Sequence, residues 1–405
     1  MDALTRRGIL GSAMGAALAS GCALAATQEG EPQAPAAQSR AAQVASSSSP
    51  APTAKDVAAQ GPASRGDSWK EEWEGLAAAA AREGSLSLIT WGGRAYRGAI
   101  ERFEQVFPGI VVHQLAESSP GVWLERVRQG RRAGAQSFDL AFVQPDVALT
   151  QGAREGLWAP IRPLLVRPDV VDEGAWRDGL DGRFLDDRGE VCFDWEYQVF
   201  HAYAINKDLV QPGEIRSVED LLNPKWRGRI LTSDPRVGTG LWSAASVVKN
   251  WGDAVLEELL VDQRPVLSAG GSYLAEGLVS SRYPVALGLR PKALAPFREK
   301  GLADRVAFLD LPDADFVPST GLLYLDRAPH PAAAKLFVNW ILGREGQTIL
   351  TRDTPTNSAR SDVAAFEPDG IGRAGAVYFD PDREANHAPI TATQRFVTRL
   401  LGRAP

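Results

Sequence analysis

The sequence predicts an α/β chain long enough to build two lobes, and three observations carry that reading. Apolar residues alternate at period two over short runs and then recur at three- and four-residue spacing, so strands and helices follow one another. From Leu86 onward the order is strand, helix, strand, the βαβ cadence of a mostly parallel sheet covered on both faces. The 405 residues are 44% hydrophobic and 23% charged, which is ordinary for a globular chain and supplies core for two domains. No repeat of fixed period is present, which removes solenoids and propellers.

Composition excludes several functions. A formal net charge of -6 argues against a nucleic-acid surface. The two cysteines, Cys22 and Cys192, are too far apart to suggest a disulfide framework, and four histidines offer no zinc spacing. No metal or other cofactor is expected.

Residues 1–22 read as an export signal. Arg6-Arg7 before an aliphatic residue resembles a twin-arginine leader, and the Gly/Ala-rich run after it is too short and too weakly apolar to span a bilayer. Ala19-Ser20-Gly21-Cys22 resembles a lipobox, so Cys22 is the expected acylation site and lipid anchor; Ala23-Leu24-Ala25 offers a competing cut. Residues 23–66 are rich in Ala, Ser, Pro and Gln and bury too little to offset their ordering entropy, which reads as a disordered tether.

The ordered part follows element by element. Asp67-Ser68 caps a helix over 69–83 that ends at Gly84. Leu86 to Trp91 is a strand, Gly92-Gly93-Arg94 a tight turn, and Ala95 to Phe107 an amphipathic helix closed by Pro108-Gly109. Strand 110–112, helix 123–132, strand 138–143 and helix 147–155 continue the cadence. The pattern loosens after Pro163 and resumes as a strand-rich stretch from Phe193 to Ile205. Short helices, Gly238-Thr239-Gly240, Gly270-Gly271-Ser272 and a strand over 283–289 make the second lobe. Last come a strand over 321–325, a turn at Ala328-Pro329-His330 and a helix whose first-turn proline is Pro331, with Leu336, Phe337, Trp340 and Ile341 on one face.

As a string, Ser319 to Leu350 resembles the C-terminal signature of extracellular solute-binding proteins of ABC importers, in the ferric-iron-type branch. Tyr203 to Asp208 and Asn223-Pro224-Lys225-Trp226-Arg227-Gly228 resemble further segments of that family, and the likeness extends over roughly 84–365. The resemblance implies a two-lobe type II periplasmic-binding (Venus-flytrap) fold with crossing hinge strands. It implies a monomer that captures a small solute between its lobes and hands it to an ABC permease, with no enzymatic activity. Lobe 1 is expected over 67–190, lobe 2 over 191–290, the return to lobe 1 over 291–355, and C-terminal helices with a tail over 356–405.

In open α/β sheets ligands sit beyond the carboxyl ends of the strands, where loops enter helices. Four loops qualify: Trp91-Gly92-Gly93-Arg94, Gln144-Pro145-Asp146, Gly238-Thr239-Gly240 and Gly270-Gly271-Ser272. Three are glycine-rich starts of helices, where free N–H groups suit an anion, although glycines there also serve plain tight turns. The resemblance implies iron ligands at places that here hold Arg94, Gln144 and Leu289-Arg290-Pro291-Lys292, and no tyrosine pair exists anywhere. Asp146 is a single nearby acid. Ferric ion wants several anionic oxygens, so Arg94 and Arg290 point instead to a carboxylate, phosphate or phosphonate, with ferric iron as the alternative. Trp91, Trp195 and Trp242 fall near the same cleft and serve either as stacking faces or as core. A further alternative is an enzyme on the same scaffold, with Cys192 as nucleophile beside Glu196 or His201.

Overall fold

The protein is described from a computed structural model over residues 65–268 and 270–402. The expected export signal, Cys22 and all but the last two residues of the tether lie outside the described residues. The first helix begins at Arg65 and runs to Glu83.

Two sheets form the frame. The first is built from β1 (Ser85–Thr90), β2 (Val111–Ala116), β3 (Leu140–Val143), β4 (Trp158–Ala159), β5 (Cys192–Asp194) and β11 (Gly321–Leu325). Its order is β2-β1-β3-β11-β4, with β5 also paired to β11; β1 is parallel to β2 and β3, whereas β11 runs antiparallel to its neighbours. The second sheet holds β6 (Tyr203–Asn206), β7 (Ile230–Ser233), β8 (Val266–Ser268), β9 (Val285–Leu287) and β10 (Val306–Leu309) in the order β10-β6-β9-β7-β8. Each sheet is sandwiched between two apolar clusters. Phe103, Phe337 and Trp340 lie on one side of the first sheet and Trp123, Leu149 and Leu325 on the other. Tyr203, Trp226 and Phe316 lie on one side of the second sheet and Leu231, Leu274 and Leu278 on the other. Two α/β lobes result.

The stretch from Ser319 to Leu350 shows why the first lobe closes. β11 inserts beside β3, and Asp139, at the foot of β3, is fully buried. Its carboxylate accepts from His330 N at 2.7 Å, from His330 Nδ1 at 2.9 Å and from Ser87 N at 2.8 Å, which pins the turn. The helix Pro331–Ile341 then starts against Glu83, whose carboxylate accepts from Ala332 N and Ala333 N at 3.1 and 2.8 Å. Phe337 meets Phe103 edge-on at 4.9 Å, and Trp340 meets it at 5.4 Å. Truncating Phe337 to alanine would cost about 3–5 kcal/mol.

The chain crosses between sheets after β5 and again after β10. These crossings are paired: Phe200 N donates to Phe316 O at 2.7 Å, and the two rings stack at 4.7 Å. A third segment joins them where Val317 N donates to Phe379 O at 2.8 Å. The expected boundary of lobe 2 at 290 leaves out β10, yet β10 pairs along its whole length with β6; its four residues carry no alternation that would mark it as a strand beforehand. The last helix, Glu384–Leu401, begins against the first lobe, where Glu384 N donates to Leu185 O, and packs its buried Val397 into the second lobe.

Candidate functional site

The facing edges of the two lobes enclose a cavity of about 220 Å³. From the first lobe come Trp91, just beyond β1, and Gln144 and Asp146, just beyond β3. The crossing segments supply Glu196, Phe200, Pro318, Ser319 and Thr320, and Asp382 arrives from the third of them. Thr239, Trp242 and Arg290 close it from the second lobe. A wider cavity of about 630 Å³ continues along the second lobe past Ser233, Gly238, Gly271, Ser272, Gly288 and Lys292, sharing Thr239 and Arg290 with the first.

Of the residues expected from sequence, Trp91, Gln144, Asp146, Gly238, Thr239, Gly271, Ser272 and Arg290 line these cavities. Gly92, Gly93, Arg94, Trp195 and Gly240 do not, and each has a local reason. Gly92 sits at φ +88°, and a Cβ on Gly93 would meet Ala116 at 2.8 Å, so this pair serves the turn and the close approach to β2. Arg94 then opens the short helix Arg94–Tyr96 and is itself exposed, whereas Tyr96 turns into the core. Trp195 is 1% exposed within the first lobe's core. A Cβ on Gly240 would lie 2.2 Å from Asp234 O, so this glycine lets the helix Gly238–Trp251 start hard against the preceding loop.

The second lobe's face is positive. Two helices begin on it, at Gly238 and at Gly271, and no side chain caps the N–H groups of their first turns. Among the described residues, the Arg290 and Lys292 side chains have no hydrogen-bond or ion-pair partner. Ser233 Oγ is buried without a partner, and Gly288, at φ +77°, leaves the space beside it: a Cβ there would fall 1.9 Å from that oxygen. Sequence reasoning missed Ser233 and Gly288, although the glycine one residue past β9 is the kind of signal that marks close backbone approach.

The first lobe and the crossings present carboxylates. Burial pushes Glu196 up to about 7 from its ordinary 4.5, held back by hydrogen bonds from Thr320 and Thr356. Burial also raises Asp382 well above the usual carboxylate range, with the neighbouring charge of Asp380 adding to it and Asp146 contributing. Ser319 N donates to Asp382 at 2.8 Å, and Ser319 Oγ donates to Asp194 at 3.1 Å. The sequence offered Asp146 as a ligand-binding acid and Glu196 only as a neighbour of Cys192; the folded chain brings Glu196 and Asp382 into the cleft, both from segments with no regular pattern. Among the described residues, the one group bringing three ligating atoms within 4.8 Å of one another is His201, Asp310 and Asp315, at the crossings rather than in the cleft. Its members are occupied: His201 Nδ1 lies 2.8 Å from Asp315, which also accepts from Ala202 N and Leu311 N, and Asp310 takes Arg373 Nε at 2.6 Å.

Cys192 is fully buried between β11 and the first lobe's core. Burial raises its thiol well above the ordinary value, and Asp186 and Asp194 raise it further, so no thiolate is available for attack. Its sulfur occupies the space where a Cβ on Gly321 would come within 2.6 Å, which makes it a packing residue.

Comparison with known proteins agrees with this geometry. The iron-bound HitA of Pseudomonas aeruginosa superimposes with a TM-score of 0.56 at 17% identity, over 77% of this chain and 99% of that one. A Bordetella ferric binding protein gives 0.61 at 16%, over 78% and 98%. A Trichodesmium protein (IdiA, FutA) in complex with iron and citrate gives 0.61 at 14%, over 78% and 99%. At these identities the likeness is one of fold, the type II periplasmic-binding architecture. The chain has no match among curated protein sequences. Residues 93–353 match the family described as bacterial extracellular solute-binding protein, whose members bind small solutes for ABC permeases and are not enzymes. With well over half of its length matched and its lobes folded around a shared cleft, this chain belongs to the bacterial extracellular solute-binding proteins.

Proposed function

We propose that the cleft captures a small carboxylate-type anion together with a ferric ion, and that the closed form delivers this pair to a membrane permease. One observation carries the reading: a single cleft sets the acidic side chains of Asp146, Glu196 and Asp382 against the cationic Arg290 and the hydroxyl of Thr239. An anion alone accounts for Arg290 and the helix starts but gains nothing from three acidic side chains on the same cavity wall. A bare ferric ion accounts for the carboxylates but not for the arginine, and no tyrosine lines the cavity. A metal held with its anion accounts for both, and iron is what the structural neighbours named above bind. A metal-free anion, carboxylate, phosphate or phosphonate, is the second reading, supported by the unpaired Arg290 and Lys292. Binding from both lobes would favour closure, because only the closed form satisfies both faces at once.

Calorimetric titration of the purified protein with ferric citrate, metal-free citrate and inorganic phosphate decides between them. The metal-anion reading expects binding of ferric citrate at least tenfold tighter than of citrate, about 1.4 kcal/mol or more. Equal affinity for the two citrate forms supports the second reading, and no binding of any of the three removes both. The lipobox resemblance further supports a lipid-anchored form: Cys22→Ala is expected to release the protein from the membrane fraction, and unchanged fractionation counts against the anchor.

A further inference from the structure

We propose that the solute's anion carries a flat aromatic ring, making it an aryl carboxylate rather than an aliphatic one. The inference rests on the anion-capture reading of the same cleft and deepens it. Three aromatic side chains line the cavity: Trp91 from the first lobe, Phe200 from the crossing, and Trp242 from the second lobe. Two of them are held in fixed orientation. Phe200 stacks on the fully buried Phe316 at 4.7 Å and an interplanar angle of 15°, and Trp242 meets the same ring edge-on at 5.6 Å.

Trp91 differs. Its backbone is anchored, with its N–H donating to Phe142 O at 2.8 Å, yet its side chain is 44% exposed and stacks on no other ring among the described residues. A large aromatic left in water on a fixed backbone at a cleft gives up burial energy that a ligand's face recovers, and lobe closure moves Trp91 toward Trp242 with the solute between them. Arg290 lies on the same cavity wall as Trp242 and takes the carboxylate. The part of the cleft lined by the three aromatic side chains, about 220 Å³, is smaller than the roughly 300–1,000 Å³ of drug-sized sites and suits one ring, with Arg290 at its junction with the wider cavity to take the acid group.

The test is calorimetry and tryptophan fluorescence on the full chain with sodium benzoate and sodium succinate, each with and without ferric ion. Benzoate is expected to bind about tenfold tighter than succinate, as an aromatic contact of this kind provides. Trp91→Ala is expected to abolish the preference and Trp91→Phe to keep most of it, with melting temperatures unchanged because the side chain is exposed. Succinate binding as tightly as benzoate, or a preference that survives Trp91→Ala, overturns the ring while leaving anion capture standing. Failure of benzoate, succinate and ferric citrate alike overturns the capture reading and the ring with it.

Discussion

The two faces of the cleft are built by different means. The second lobe presents backbone: two helix starts, glycines that let the chain approach closely, and one unpaired arginine. The first lobe and the crossings present side chains, chiefly carboxylates whose charge is disfavoured by burial until something positive arrives. Partial charges on N–H groups are fixed and always present, whereas a buried carboxylate can discard its charge by taking a proton. The positive face is therefore permanent and the negative face conditional.

Several experiments would break or sharpen that contrast, beginning with the largest effect. Arg290→Ala removes the charged group common to both cavities and should weaken anion binding roughly 10- to 150-fold, the worth of one charge-assisted hydrogen bond at about 1.5–3 kcal/mol; calorimetry with citrate reads it. Gly288→Ala tests the backbone half. Its φ of +77° and the 1.9 Å approach to Ser233 Oγ should cost about 1–3 kcal/mol of stability and close the second-lobe cavity, measured by denaturant unfolding and by lost citrate binding. Asp382→Asn tests the carboxylate half: iron-dependent binding should fall by tenfold or more, about 1.4 kcal/mol, with metal-free citrate affinity retained or improved. If both affinities fall together, the faces do not act separately.

The conditional character of the negative face makes a pH prediction. Glu196 titrates near 7 when folded and near 4.5 as an ordinary glutamate, so between these values the folded chain binds the extra proton. Its contribution to stability is fully present below 4.5 and is lost as pH rises through about 7. The melting temperature of the wild type should therefore fall relative to that of Glu196→Gln across this window, by a few degrees; parallel curves would count against a buried, protonated Glu196. The smallest effect is expected from Cys192→Ala, which should cost stability through lost packing and leave citrate binding unchanged.

Much of the second-lobe face was legible beforehand because its signals are local. Gly238-Thr239-Gly240 and Gly271-Ser272 announce helix starts within three residues, and Thr239, Ser272 and Arg290 do line the cavities. The same signal misled at Gly92-Gly93-Arg94, where the glycines serve a turn and the arginine faces solvent. For Trp195 the sequence left stacking face and core both open, and the structure decides for core, because Phe193 and Trp176 close around the same sheet face. Glu196, Phe200, Ser319 and Asp382 were not legible as one group. They come from three crossing segments, the first more than a hundred residues before the second and the third 63 residues after it, and the pairing of Phe200, Phe316 and Phe379, with Ser319 bonded to Asp194 and Asp382, sets those segments side by side.

The sequence by itself determined the α/β alternation, the glycine-rich helix starts and the strand, turn and helix of Ser319 to Leu350, because hydrophobic period and turn chemistry act within a few residues. Tertiary structure alone decided the sign of the cleft. A carboxylate's neighbours, its burial and hence its charge depend on which distant segments the fold brings against it, and three crossings bring Glu196 and Asp382 to face Arg290.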